Sequence, residues 1–197
     1  MTINTDAPAY IVDGVLTDGE AWVALGTHVV SGTSTSAVTF TSSTGANDWS
    51  QYMDLVIVGY AQSNGAAGIY QCQLNNDTGS SYPWQRINGT GTSMGMGNST
   101  GGTYAYFGFV NGTSDQVLAY SAFTARFGNI NSGAWKPVNC FIGAVNGSAS
   151  NNYIFNTQSG WMSQAAVTEI DLFVSSQDTK AGSRFDLFGV LPRMVTA

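Results

Sequence analysis

The sequence predicts an all-β protein: a two-sheet antiparallel sandwich, jelly-roll-like, with an extended N-terminal arm. Three observations predict it. The polar residues are small and neutral, with 21 Ser, 20 Thr, 15 Asn and 24 Gly in 197 residues, while Asp, Glu, Lys and Arg make up 9%, against about 25% in an ordinary soluble domain. Helix surfaces draw on Ala, Glu, Lys and Gln, whereas these residues favour turns and β surfaces. Short apolar or alternating runs recur between Gly/Asn/Ser loops, and no amphipathic helix of the roughly 10–15 residues a βαβ unit needs lies between them.

Residues 1–21 read as an arm and residues 22–197 as one β-sandwich domain. The arm gathers Asp6, Asp13, Asp18 and Glu20, with Pro8 and the turn pairs Asp13-Gly14 and Asp18-Gly19. Ile3, Tyr10, Ile11, Val12, Val15 and Leu16 are its apolar points, and the arm is expected to dock on the chain's own domain or on a neighbouring subunit. From Trp22 onward the strand rhythm begins. Residues 27–31 and 37–42 alternate around Gly32-Thr33-Ser34, a hairpin signal. Residues 52–61 are apolar on both faces, the pattern of a central strand covered on both sides. In residues 68–74, Tyr70, Cys72 and Leu74 face opposite Ile69, Gln71 and Gln73. Residues 87–103, rich in Gly and without periodicity, predict a long loop with Met94 and Met96 at its tip, an adaptable apolar contact. Residues 104–110, 117–127, 138–145 and 153–155 follow as strands. In residues 167–174, Ile170, Leu172 and Val174 point inward while Glu169 and Asp171 point out. Residues 184–190 close the set, with Phe185 and Leu187 on one side.

Charge narrows the function. Six Lys and Arg against twelve Asp and Glu give a net charge of -6, leaving no basic footprint for nucleic acid. No apolar run approaches the roughly 18 residues that cross a bilayer as a helix, so no membrane partner is expected. The first residues carry neither a basic n-region nor an apolar stretch of a secretory signal. Cys72 and Cys140 are accordingly read as buried free thiols.

No catalytic constellation emerges. The single histidine, His28, has no Gly-x-Ser-x-Gly elbow beside it. Glu169 and Asp171 share a strand face, as two glycosidase carboxylates would, but alternating acids are also the ordinary solvent face of a strand. Asn75-Asn76-Asp77-Thr78-Gly79-Ser80 superficially suggests a calcium loop. It lacks the EF-hand spacing, and an Asx-turn explains it better. No catalytic residue, cofactor site or metal site is assigned. Binding remains, since a low-charge exterior is easily desolvated against another subunit. Trp22, Trp49, Trp84, Trp135 and Trp161 offer possible stacking faces for sugars.

The phrases 74–82 (Leu-Asn-Asn-Asp-Thr-Gly-Ser-Ser-Tyr) and 88–91 (Asn-Gly-Thr-Gly) are followed by Gly160-Trp161. That pair leads into 166–173 (Ala-Val-Thr-Glu-Ile-Asp-Leu-Phe), and 183–190 (Ser-Arg-Phe-Asp-Leu-Phe-Gly-Val) closes the series. In this order they resemble β-sandwich domains of tailed-bacteriophage virions, found in capsid decoration (cement) proteins and in tail-fibre or receptor-binding proteins. The resemblance covers about residues 22–190 and excludes the arm. It implies a structural protein without catalytic residues, forming a homotrimer. The short chain, lacking a fibrous shaft, favours a cement protein that binds the major capsid protein on the capsid exterior. The alternative is a glycan- or receptor-binding tail-fibre module. The expected partner-binding residues are Ile3, Tyr10, Ile11, Val12, Met94 and Met96.

Overall fold

A computed structural model of the chain describes residues 11–12, 15–16, 22–114, 118–145 and 152–191. Its strands are β1 (Ile11–Val12), β2 (Val15–Leu16), β3 (Trp22–Val29), β4 (Ser34–Thr35), β5 (Val38–Thr41), β6 (Asp54–Ala61), β7 (Gly68–Leu74) and β8 (Tyr82–Thr90). There follow β9 (Ser93–Gly102), β10 (Ala105–Val110), β11 (Ser121–Phe127), β12 (Lys136–Ala144), β13 (Tyr153–Trp161), β14 (Glu169–Val174), β15 (Thr179–Lys180) and β16 (Arg184–Val190). One sheet has eight strands in the order β3-β16-β6-β11-β12-β13-β8-β9 and a second has four in the order β10-β7-β14-β5, while β1-β2 and β15-β4 form two small two-stranded sheets. All their pairings are antiparallel. The all-β antiparallel sandwich expected from composition is therefore what forms. Its two main layers are unequal, eight strands against four.

The layers meet through the apolar side of each alternating strand. Tyr70, Cys72 and Leu74 of β7 and Ile170, Leu172 and Val174 of β14 face Leu55, Ile57, Phe123, Phe127, Cys140, Ile142 and Phe185 across one core. Aromatic rings fill its centre. Tyr70 lies 5.3 Å from Phe123 and stacks on Phe185 at 5.9 Å, and Phe107 lies 5.7 Å from Phe123. Cys72 and Cys140 are free and buried, and burial pushes both thiols well above their ordinary pKa.

Three local expectations are corrected. Residues 87–103 are not a loop. Most of them belong to β8 and β9, which pair from Trp84↔Ser99 to Thr90↔Ser93. Gly91 turns the chain with φ 56, the positive φ that a type II′ hairpin turn needs at its first central position. Pairing to β8 supplies the order that the Gly-rich sequence does not show as periodicity.

The segments around Gly32 do not form a hairpin with each other. β3 joins the eight-stranded sheet beside β16, while β5 joins β14 in the other. Alternation places a residue on a face but does not choose its sheet. Finally, β6 is central, between β16 and β11, yet only one of its faces lies on the core. Leu55 and Ile57 are buried in the core; on the other side Asp54 and Val56 are buried outside that core, whereas Val58 and Tyr60 are exposed.

Candidate interaction surface

The outer face of the eight-stranded sheet has no second layer over it among the described residues. The ladder registers lay out its rows. One row crosses Val58 (β6), Thr124 (β11), Phe141 (β12), Asn156 (β13), Ile87 (β8) and Met96 (β9). The next, two residues along each strand, crosses Tyr60, Ala122, Gly143, Ile154, Gly89 and Met94. Met94 is 80% exposed, Met96 84% and Phe141 53%. Adjacent strands lie about 4.8 Å apart, so these side chains form a nearly continuous apolar band. Isolated exposed apolar residues are ordinary, but a contiguous group marks a contact surface.

On the other side of that band lies a row of amides: Asn139, Gln158, Gln85 and Asn98 on four adjacent strands. Gln85, Asn98, Asn156, Gln158, Ile87 and Met96 line a shallow groove of about 380 Å³. A second groove of about 590 Å³ continues it past Pro83 and Ser99 to Gly160.

Charge on this face is internally cancelled. Arg126 pairs with the buried Asp54, its Nε donating to Oδ2 at 2.9 Å. Arg184 pairs with Asp186 at 2.9 Å. The hydrogen bonds from Arg184, helped by one from Thr27, hold the Asp186 carboxyl below the usual carboxylate range against the opposing effect of burial. Among the described residues this face carries no unpaired charge to strip of water on being covered.

The predicted contact residues divide. Met94 and Met96 stand on β9, on the band. Ile11 and Val12 form β1 and pair with β2 as Ile11↔Leu16 and Val12↔Val15. Ile3 and Tyr10 lie outside the described residues. The band residues Val58, Phe141, Ile87 and Ile154 had no individual signal in the sequence, because strand order alone makes them neighbours. The tryptophans differ among themselves. Trp49 and Trp161 are buried in the core and Trp84 stacks on Tyr106 at 4.6 Å, while Trp22 and Trp135 are exposed.

The acids and asparagines weighed for chemistry make hydrogen bonds within the fold. Glu169 accepts a hydrogen bond from Asn76 and Asp171 one from Thr39. His28 stands half-buried on β3 opposite Phe185, in the other sheet from those acids. Asn75 and Asn76 turn the chain with φ 52 and φ 55. The Asn75 Oδ1 accepts from the Thr168 and Glu169 amides at 2.8 and 3.0 Å, and its Nδ2 donates to the Ala166 carbonyl. Asp77 accepts from the Trp161 indole at 2.7 Å and from the Gly79 amide at 2.8 Å, closing the expected Asx-turn. The segment is a clip that ties β7 to β14 and to Trp161.

The indole hydrogen bond, reinforced by Gly79 and Ser81, holds the Asp77 carboxyl below its ordinary value. A depressed carboxylate contributes stability above its unfolded pKa and loses it as pH falls through the folded one. The melting temperature is therefore expected to stay level from about pH 7 to 5 and to fall below about pH 4. Asp77→Asn should flatten that acid limb in circular-dichroism melts across the range.

The chain matches no protein-family model, no curated protein and no solved structure. What the fold and surface define is a class: an antiparallel sandwich with one uncovered, charge-cancelled sheet face.

Proposed function

We propose that this chain is a structural protein of a tailed-bacteriophage virion, a capsid decoration protein that seats its outer sheet face on the major capsid protein at the capsid exterior. The observation that carries the reading is β6. Its outward side carries Val56, Val58 and Tyr60; Val56 is buried, while Val58 and Tyr60 are exposed and lead through Phe141 and Ile87 to Met94 and Met96. A strand built to be buried twice is explained by a second layer supplied from outside the chain. The phage assignment rests on the resemblance of the strand-turn phrases, and so does a homotrimer.

Cementing follows from mass action. A subunit that binds only assembled shell stabilises that shell relative to its parts. Copies that each touch several capsid subunits gain through effective concentration. Nothing in this role calls for catalysis, and the acids considered above already serve as hydrogen-bond acceptors between strands.

Purified chain mixed with expanded empty capsids of the encoding phage is expected to co-sediment and to raise their melting temperature. Free chain left wholly in the supernatant would overturn the reading. A second reading, glycan recognition by a tail-fibre module, is favoured by the amide row and its groove, since amides pair with vicinal hydroxyls as donor and acceptor together. Binding to host-cell glycan without binding to capsids would select it.

A further inference from the structure

We propose that β9 is a self-pairing edge, through which two copies of this chain join their eight-stranded sheets in antiparallel fashion about a two-fold axis at Met96. Sheet edges invite pairing and are normally blunted. Three of the four main edges here are. β5 offers four residues, β3 is interrupted by an extra residue at Leu25, and β10 by an extra residue at Phe107. The fourth is not. β9 runs in unbroken register from Ser93 to Ser99, longer than any uninterrupted run on the other three, with no charged residue and no proline.

The occupant is argued from charge and register. A chain of net charge -6 opposes its own copy wherever acids meet, and this neutral strand is an edge where they do not.

Directly opposed residues of an antiparallel pair point to the same face. A two-fold axis through the edge must therefore pass beside a residue, never between two. Centring on Met96 engages all seven residues: Ser93 with Ser99, Met94 with Asn98, Gly95 with Gly97, and Met96 with its own mate. It also carries the Phe141–Ile87–Met96 row straight into the same row of the second copy. This two-fold contact is distinct from capsid binding and from the three-fold association that the resemblance implies, and it needs no capsid.

Cross-linking of the purified full chain tests it. Residue 96 lies opposite itself, within disulfide reach, whereas the two copies of residue 94 are about 14 Å apart along the paired strands. Under mild oxidation Met96→Cys should give a disulfide-linked dimer. Met94→Cys alone should not, but mixed with Asn98→Cys it should. Wild type, with its two buried thiols, controls for background, and unchanged melting curves control for folding. Equal cross-linking of all three variants, or none, would overturn the proposal. So would cross-linking that appears only after residues 1–20 are removed, which would place the arm on this edge. Each result leaves the capsid co-sedimentation outcome independent.

Discussion

Phe123→Ala is expected to cost about 3–5 kcal/mol of folding stability, the range for removing a fully packed phenylalanine. Its ring sits where Tyr70, Phe107 and Phe185 converge from both sheets, so no one neighbour can relax into the space. The ring also lies directly on Gly59 of β6, where an added Cβ would come within 2.1 Å of two ring carbons. Gly59→Ala by itself should cost about 1–3 kcal/mol, because the ring must leave its place. Combined, the two changes should cost less than their sum, since the new methyl occupies part of the vacated volume. Urea unfolding of the four proteins measures the coupling. Strictly additive losses would show that the ring and Gly59 do not share that space.

That contact illustrates what local sequence does and does not convey. The alternation of Ile170, Leu172 and Val174 against Glu169 and Asp171 was readable because a half-buried strand writes its two faces into a period of two. Phe185 and Leu187 were readable for the same reason. The pairing of Gly59 with Phe123 was not, for it depends on β6 and β11 being neighbours across a separation of more than sixty residues. β9 was missed on different grounds. Its residues have poor strand propensity, and neither face is apolar throughout, so its extended state is imposed by β8 and the Gly91 turn. Propensity of this kind is readily overridden by tertiary pairing.

The exposed band proposed as the contact surface was half legible. Met94 and Met96 stood out as apolar residues in a polar stretch, and they are indeed the most exposed part of the band. Residues 52–61 announced two apolar faces, but periodicity reports only that a side chain is apolar, not whether its own chain covers it. The four amides of the adjoining row are separated in sequence by up to 73 positions and become one feature only through the register of four strands. The clip at Asn75–Asp77 was legible because Asn and Asp accept positive φ and hydrogen-bond their own backbone, though its anchorage to Trp161 was not.

The same band carries the largest expected effect on binding. Phe141→Lys combined with Ile87→Lys should weaken capsid co-sedimentation by more than about 100-fold, since central, fully desolvated contacts each carry roughly 2 kcal/mol or more. Each lysine would also bring an unpaired ammonium into a surface whose own charges are cancelled, so covering it would strip water from an ion with no partner. The free protein should tolerate both changes with a loss of no more than about 1 kcal/mol, because these side chains are exposed before binding and lysine can extend into water. Gln158→Ala with Asn98→Ala provides the contrast. It removes two members of the amide row while leaving Phe141 and Ile87 in place, so capsid binding should fall far less, whereas a glycan held in the groove would be released. Capsid binding that survives the lysines but is lost with the amides would move the contact off the apolar band and onto the polar groove.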